Sequence, residues 1–255
     1  MDDPARPSPS GRVALVTGVG RRIGIGAAVA SRLAADGFDV ACTWWSPYDE
    51  RMPWGADDDG GVAAVAQVAS RTVAVEADLE DAATPERVFA EVERTLGPVT
   101  ALVVCHCESV DSGILDTTVE SFDRHVAVNA RATWLLIREL ALRFRGAHGS
   151  GRIIALTSDH TVGNVPYGAS KAALDRITIA AARELSHLGV TANVINPGAT
   201  DTGWMTPDLQ VAVISNTPLG RLGQPSDVAN LVSFLCSDEG AWVNGQLLSS
   251  NGGAA

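Results

Sequence analysis

The sequence predicts a single-domain α/β protein built on a doubly wound parallel sheet. Apolar runs typical of buried strands alternate with segments of helical periodicity along all 255 residues. The first such strand opens into a glycine-rich turn that leads directly into a helix. This alternation indicates parallel strands with helices on both faces. Because ligands of such sheets bind at the carboxyl ends of the strands, residues that follow strands are the first candidates for function.

Each strand and helix is predicted from its own composition. The strands are apolar runs bounded by turn residues and cover 12–17, 39–45, 72–76, 101–105, 152–157, 190–195 and 246–249. The helices have apolar residues at helical spacing and cover 24–35, 62–70, 84–96, 119–145, 167–188 and 226–237. Thr84 is the expected N-cap of its helix, with Pro85 at the first position. Residues 46–61, rich in Pro, Gly and charge, are expected to form a long surface loop.

Composition and charge disfavour several classes of function. The net charge of −11 disfavours nucleic acid as a partner. No apolar run is long enough for a membrane span, so no membrane partner is expected. Residues 1–10 contain three prolines and are predicted to be a disordered tail rather than a signal peptide. The four cysteines, Cys42, Cys105, Cys107 and Cys236, are therefore expected to be reduced thiols in a cytoplasm.

A glycine-rich turn, 17–26 (TGVGRRIGIG), follows the first predicted strand. Glycines let the backbone approach a pyrophosphate, whose charge the N-terminus of the next helix favours. A plain strand-to-helix turn is the alternative. The position between a strand and a helix favours a Rossmann-type dinucleotide site that includes Gly18, Gly24, Ile25 and Gly26.

The end of the second predicted strand indicates which nicotinamide dinucleotide binds. An acidic residue there would hold a ribose 2′-hydroxyl and repel a 2′-phosphate, but the chain has Trp44, Trp45 and Ser46. Arg21 and Arg22 lie in the loop that is expected to face the same ribose. Arginine binds phosphate bidentately, although both side chains could instead be solvated. We therefore expect NADPH rather than NADH.

The adenine end is expected to involve residues after the third predicted strand. Asp78 could accept a hydrogen bond from the adenine amino group, and capping the next helix is an equal alternative. Leu79 follows it and is counted among the cofactor contacts. Trp45 and Ser46 are counted too, although the aromatic residues around 44–54 are also typical of packing within the loop.

Tyr167 and Lys171 form the candidate catalytic pair. Residues four apart share a face of a helix. A free tyrosine has a pKa near 10, whereas proton transfer at neutral pH favours a value nearer 7, so a lysine ammonium beside the phenol would stabilise the phenolate. Of 19 basic residues, Lys171 is the one lysine, and the chain has two tyrosines. Few chains of this composition would place their one lysine four residues after a tyrosine by chance. Arginine could not replace this lysine, because the role requires an ammonium whose pKa can shift.

Taken in order, these motifs resemble the landmarks of the short-chain dehydrogenase/reductase family. The matching positions are 17–18 with 24–26, Asn129, Ser158, Tyr167 with Lys171, and 196–198 (NPG). The resemblance covers residues 11–253 and is greatest, through 196–205 and 218–246, to bacterial members similar to 3-oxoacyl-carrier-protein reductase. It implies a ketoreductase that transfers hydride from C4 of the nicotinamide to a carbonyl substrate. It also implies a homo-oligomer, a tetramer or a dimer.

The resemblance implies a role for each matching catalytic residue. Ser158 would polarise the substrate carbonyl, and Tyr167 would donate its proton to the developing alkoxide. Lys171 would lower the pKa of the tyrosine and hold the nicotinamide ribose. Asn129 would help to hold a water that relays protons to Lys171.

The resemblance also implies the far wall of the cofactor site. Pro197, Gly198 and Thr200 would meet the nicotinamide, with Thr200 at its carboxamide. Residues 201–222 would form a lid over the substrate. Trp204 and Met205 would give this lid an apolar surface.

Three departures from the family pattern bear on these roles. The glycine turn is longer by two residues, and 104–107 (VCHC) stands where Asn-Asn-Ala-Gly is usual, so His106 and Cys107 are expected to alter the cofactor pose. Cys-His-Cys is not expected to bind a metal, because adjacent strand residues point to opposite faces. The link from Ser158 to Tyr167 is shorter than usual, which predicts a wider pocket. Two alternatives stay open: a catalytically lapsed dinucleotide-binding sensor or subunit, and an alcohol dehydrogenase that uses NAD.

Overall fold

Parallel strands form one sheet in this computed structural model, which describes residues 11–57, 60–69 and 71–254. The strands are β1 Val13–Val16, β2 Asp39–Trp44, β3 Thr72–Glu76, β4 Ala101–Val104, β5 Gly151–Leu156, β6 Val190–Asn196 and β7 Leu247–Ser249. Their order across the sheet is β3-β2-β1-β4-β5-β6-β7. The predicted single-domain, doubly wound sheet is thereby confirmed. The tail predicted at 1–10 lies outside the described residues.

The helices cover both faces of the sheet. They are α1 Ile25–Ala35, α2 Ser46–Glu50, α3 Gly60–Ala66, α4 Thr84–Thr95, α5 Val119–His125, α6 Ala132–Arg143, α7 Val165–Glu184, α8 Pro207–Asn216 and α9 Pro225–Cys236. A π-helical segment, Val126–Arg131, joins α5 to α6, and a 3-10 turn, Ser186–Leu188, follows α7. Within the part of the chain that the structure describes, none of the helices combines the length and apolarity needed to cross a membrane.

Two apolar layers hold the helices on the sheet. One layer packs α4, α6 and α7 against one face, and the other packs α1 and α9 against the opposite face. The side chains of β1 and β4 are fully buried between these layers. This double burial explains why the central strands are continuous apolar runs rather than alternating ones.

The order of the strands reverses between β1 and β4, since β2 lies on one side of β1 and β4 on the other. The chain connections on the two sides of this point leave the sheet in opposite directions. A crevice therefore opens there at the carboxyl ends of the strands, which is the usual ligand site of doubly wound sheets.

Three local predictions were wrong. Residues 46–61 are not one loop, because Pro47 starts the short helix α2 and α3 begins at Gly60. The predicted 119–145 helix contains the π-helical segment, which leaves the apolar pattern unbroken. Ala83 is the N-cap of α4, since the Asp81 carboxylate accepts the Ala83 N–H at 2.9 Å and starts the turn one residue earlier. The helix α8 lies within 201–222, whose role as a lid stays a prediction.

Candidate active site

A cavity of about 740 Å³ runs along the carboxyl ends of the strands, from the glycine-rich turn to the start of α7. It brings together most of the residues that the sequence predicts for the site. The predicted residues that line it are Gly18, Arg21, Gly24, Ile25, Gly26, Trp45, Asp78, Leu79, Ser158, Tyr167, Lys171, Pro197, Gly198 and Thr200. Arg22, Ser46 and Asn129 are not part of its wall.

The glycine-rich turn leaves room for an anionic group at the N-terminus of α1. Gly18 has a φ of +74°, and a Cβ there would lie 2.7 Å from the backbone nitrogen of His106. A Cβ on Gly26 would collide with the carbonyl oxygen of Gly18. Gly24 is the N-cap of α1 and gives the helix no side-chain cap. The first N–H groups of α1 therefore remain available to a ligand, and this cradle fits the pyrophosphate of a dinucleotide.

The two arginines of the turn lie in different surroundings. Arg21 lines the cavity, donates a hydrogen bond to the carbonyl oxygen of Thr202, and lies 4.7 Å above the ring of Trp54. Arg22 is exposed outside the cavity, and its backbone N–H donates to the Asp57 carboxylate at 2.7 Å. Arg21 is thus the one of the two that the fold directs towards the ligand.

The segment 46–57, here called the cover segment, reaches from the glycine turn across to the residues after β4. The Tyr48 hydroxyl lies 3.5 Å from the carbonyl oxygen of Ser109, and Arg51 forms an ion pair with Glu108. Sequence reasoning missed these contacts. The available signal was the pair of aromatic residues, Tyr48 and Trp54, within an otherwise polar stretch.

A buried carboxylate of the cover segment faces the glycine turn. Asp49 accepts a hydrogen bond from the indole N–H of Trp54 at 3.0 Å. A Cβ on Gly20 would meet the Asp49 carboxylate, so the side chain of Asp49 lies directly against this position of the turn. Burial raises the pKa of Asp49, and Arg21 offsets part of that rise. An acidic side chain therefore lies beside the place where a pyrophosphate would bind.

The predicted adenine contacts fall partly on the cavity wall. Asp78 lines the cavity and accepts the N–H of Glu80 at 2.9 Å, which closes a local turn. The alternative that Asp78 caps α4 is wrong, because that helix begins beyond it. Ser46 points elsewhere: its hydroxyl accepts the Trp44 indole N–H at 3.2 Å and its backbone N–H donates to Glu76 at 3.1 Å.

Tyr167, Lys171 and Ser158 converge at the other end of the cavity. Tyr167 and Lys171 lie one turn apart on α7, with the lysine Nζ 5.7 Å from the centroid of the tyrosine ring. Lys171 is 2% exposed and donates to the carbonyl oxygen of Leu156 at 2.9 Å. Ser158 follows β5 and lies beside the Tyr167 phenol, whose pKa it lowers. These three side chains thus form the polar end of the cavity that the spacing predicted.

Burial dominates the electrostatics of this pair. It raises the pKa of Tyr167, with a smaller contribution in the same direction from Cys107, while the hydrogen bond from Ser158 lowers it. Burial also lowers the pKa of Lys171. Burial outweighs the other influences on the Tyr167 pKa here, and the lowering of that pKa by Lys171 stays a prediction. The phenol is held protonated, as a proton donor must be.

Asn129 lies behind the cavity wall in the π-helical segment, fully buried. Its amide oxygen accepts the N–H of Glu108 at 2.8 Å. Its amide nitrogen donates to the carbonyl oxygen of Glu108 and to the Ser170 hydroxyl, each at 2.8 Å. Through these bonds the Asn129 amide connects the residues after β4 with α7, and its part in holding a water stays a prediction.

The departure after β4 does not close the cavity. The backbone of His106 lies against Gly18, and its imidazole is bonded at both nitrogens to Thr17 and to the carbonyl oxygen of Val128. Cys107 lies on the cavity wall, and burial raises the pKa of its thiol. The His106 ring is thus tied into the fold, and its expected effect on the cofactor pose stays a prediction.

The short link from Ser158 to Tyr167 is supported by the segment after β4. The N–H of Val165 donates to the carbonyl oxygen of Ser112 at 3.0 Å, and the Asn164 amide donates to Asp111 at 2.7 Å. Residues 109–111 line the cavity on the side where the sequence predicts a wider pocket.

The residues after β6 close the cavity. Gly198 has a φ of +61°, and Thr200 is buried with its hydroxyl 3.3 Å from the carbonyl oxygen of Pro197. In the predicted lid, Trp204 lines the cavity with half of its surface exposed. Met205 is buried instead and does not line the cavity.

Comparison with known proteins agrees with this geometry. The sequence model of one protein family, described as Enoyl-(Acyl carrier protein) reductase, matches residues 18–255. The uncharacterized oxidoreductase YjdA of Bacillus subtilis is 33% identical, over 95% of this chain and 96% of its own. An NADPH-dependent aldehyde reductase-like protein, chloroplastic, of Arabidopsis thaliana is 35% identical, over 96% and 94%. The 3-oxoacyl-[acyl-carrier-protein] reductase MabA of Mycobacterium tuberculosis is 32% identical, over 98% and 95%.

Solved structures share the fold over nearly the whole chain. A dehydrogenase/reductase from Sinorhizobium meliloti 1021 has a TM-score of 0.84 at 35% identity and covers 98% of this chain and 97% of its own. A blue fluorescent protein from a metagenomic library, in complex with NADPH, has a TM-score of 0.83 at 32% identity, with 96% and 98% covered.

Fold, cavity and relatives together define an oxidoreductase that depends on a nicotinamide dinucleotide. The chain belongs to the short-chain dehydrogenase/reductase family, as its motifs predicted. Within that family it is an NAD(P)-dependent enzyme.

Proposed function

We propose that the protein is an NADPH-dependent ketoreductase, which converts a carbonyl group of a small, partly apolar substrate to an alcohol. One observation carries this proposal. Ser158, Tyr167 and Lys171 meet at one end of a cavity whose other end is a glycine turn at an uncapped helix N-terminus. The cytoplasmic location and the homo-oligomeric assembly that the family resemblance implies are part of the same proposal.

Each polar side chain at the catalytic end has a task in this reaction. When bound, the reduced nicotinamide supplies a hydride to the carbonyl carbon. Ser158 donates a hydrogen bond to the carbonyl oxygen and polarises it. Tyr167 gives its phenolic proton to that oxygen as the C=O π bond breaks, and Lys171 supports the phenolate that remains. The raised pKa of Tyr167 suits this direction, because the proton donor stays loaded at neutral pH.

Two features support NADPH over NADH. Arg21 lines the cavity, and the residues that end β2 carry no acidic group to repel a 2′-phosphate. Among the relatives, those from Arabidopsis thaliana are named for NADPH-dependent aldehyde reduction. Arg21 is therefore the residue that we expect to hold the 2′-phosphate, with Arg22 as a weaker contact from outside the cavity.

The proposal is tested by titrating purified protein with NADPH and NADH and following energy transfer from tryptophan to the reduced nicotinamide. Trp44, Trp45, Trp54 and Trp204 all line the cavity, so a bound nicotinamide would quench them. We expect NADPH to bind more tightly, and the NADPH complex to reduce members of a panel of aldehydes and 3-oxoacyl thioesters. Tighter NADH binding would overturn the cofactor assignment and favour the NAD alcohol dehydrogenase. Tight binding with no turnover of any carbonyl would favour the catalytically lapsed sensor.

A further inference from the structure

His106 connects two elements that are far apart in the sequence. Its Nε2 lies 2.9 Å from the carbonyl oxygen of Val128, and its Nδ1 lies 2.7 Å from the hydroxyl of Thr17. The residue is 8% exposed. The imidazole therefore joins the carboxyl end of β1, where the glycine turn begins, to the π-helical segment.

The partners of the ring fix its protonation. The carbonyl oxygen of Val128 can only accept, so Nε2 carries the proton, and Nδ1 of the neutral ring accepts from the Thr17 hydroxyl. Burial lowers the pKa of His106 to about 3. Both hydrogen bonds consequently keep their direction throughout the pH range of an enzyme assay, and the ring has no free nitrogen to offer a substrate.

A chain of hydrogen bonds runs from this ring to the catalytic helix. Asn129 follows Val128 in the π-helical segment, and its amide nitrogen donates to the Ser170 hydroxyl at 2.8 Å. That hydroxyl donates to the carbonyl oxygen of Tyr167 at 2.7 Å. A π-helical segment departs from the regular helical hydrogen-bond pattern, so contacts from outside the helix help to fix its position.

We propose that His106 is a positioning residue for the reaction. It holds the π-helical segment, and through Asn129 and Ser170 the first turn of α7, in register with the cofactor-facing end of β1. The kinetic consequences of this inference rest on the proposed function, whereas its structural consequences do not. The ring stands where the family usually has a smaller residue, so the linkage belongs to this chain's own sequence.

Matched substitutions distinguish the effect of losing the hydrogen bonds from the effect of changing the volume of the ring. His106→Phe keeps the ring but removes both bonds, whereas the amide nitrogen of His106→Gln can still donate to Val128. His125→Phe is the control. His125 is also fully buried in the neighbouring helix α5, and its ring bonds the carbonyl oxygen of Ser121 at 2.7 Å and the N–H of Val110 at 3.0 Å. Loss of the His125 ring bonds should lower the free energy of unfolding by a comparable amount and leave the hydrogen bonds of Asn129 intact.

The kinetic test compares kcat, KM and the pH profile of kcat in the four proteins. Small misplacement of reacting groups is costly, so we expect His106→Phe to lower kcat by about tenfold or more with little change in KM. The alkaline limb of its profile should move to higher pH, because a displaced Lys171 supports the Tyr167 phenolate less well. His106→Gln and His125→Phe should keep kcat within about twofold of the wild type, with the profile unchanged.

A second readout needs no substrate. Lys171 is the one lysine of the chain, so ¹³C-lysine labelling gives a single side-chain signal whose titration reports the pKa of Lys171. In His106→Phe this pKa should rise towards the ordinary lysine value, while in His106→Gln it should not move. If His106→Phe does not fold, His106→Leu, which also lacks both bonds, takes its place.

Three results would overturn the proposal. One is a folded His106→Phe with wild-type kcat, profile and lysine signal. Another is a His106→Gln as impaired as His106→Phe, and the third is a His125→Phe that shifts the profile equally. If the wild type reduces no carbonyl, the proposed function fails on its own, and the lysine titration alone decides the role of His106.

Discussion

At the catalytic end of the cavity, Tyr167 and Lys171 stand one turn apart on the single helix α7, whereas the cofactor end is assembled from segments far apart in the chain. There the glycine turn meets the cover segment, which also reaches the residues after β4 through Arg51 and Glu108. The comparison teaches that the two ends can be disturbed separately. Changes on α7 should alter the chemical step, and changes at the cofactor end should alter binding.

The largest expected effect is at the catalytic end. Tyr167→Phe removes the proton donor while keeping the ring, so kcat should fall by about 10²- to 10⁴-fold. The dissociation constant of NADPH should stay within about twofold, because the glycine turn is untouched. Steady-state assays and the tryptophan titration measure both quantities. Weakened NADPH binding of the same size as the loss in kcat would show that the two ends are not separable.

Lys171→Arg tests whether a lysine is required in a chain that otherwise uses arginine. The guanidinium is larger, planar and always charged, and it would have to replace a side chain that is only 2% exposed. We expect kcat to fall by about a hundredfold. A matched Arg176→Lys change on the exposed side of the same helix should leave kcat unaltered. Full activity of Lys171→Arg would contradict the tuned-ammonium argument.

Arg21→Ser tests the cofactor end. Loss of a charge-assisted bond to the 2′-phosphate should weaken NADPH binding by about tenfold and leave NADH binding nearly unchanged. Arg22→Ser is the control, since Arg22 lies outside the cavity. This change should alter the dissociation constants of NADPH and NADH less than Arg21→Ser does. An equal loss of affinity for NADPH and NADH would mean that Arg21 acts through its contacts with Thr202 and Trp54.

The smallest expected effect comes from Asp49→Asn. Asparagine keeps the acceptor for the Trp54 indole but removes a negative charge beside the glycine turn, so NADPH should bind roughly threefold more tightly. Glu50→Gln, an exposed carboxylate on the same helix, should not change binding. Weaker binding in Asp49→Asn would show that the carboxylate assists the cofactor.

The same variant has a pH signature. The folded protein raises the pKa of Asp49, so it binds the proton more tightly than the unfolded chain does. The free energy of unfolding is therefore reduced as pH rises above the ordinary value of 3.8, and Asp49→Asn should remove that loss. Denaturant unfolding at pH 4 and pH 7 measures the difference. An unchanged pH dependence would contradict the burial of a charged Asp49.

Sequence predicted the catalytic end well because its information is local. The apolar runs predicted the strands, and the spacing of four predicted that Tyr167 and Lys171 share a helical face. The cofactor end was predicted less well because its contacts join remote residues. Nothing near Arg51 in the sequence indicates Glu108 as its partner, and nothing near His106 indicates Val128. The π-helical segment was missed since its insertion leaves the apolar pattern around it intact.

The most direct test of the account is a single turnover. The complex of the enzyme with NADPH is mixed with a carbonyl substrate identified in the panel, and loss of the reduced nicotinamide absorbance is followed together with formation of the alcohol. The account predicts that each NADPH oxidised yields one alcohol in the wild type, and that Tyr167→Phe binds NADPH but oxidises it far more slowly. NADPH that stays reduced with every carbonyl, or a Tyr167→Phe that matches the wild type, would contradict it.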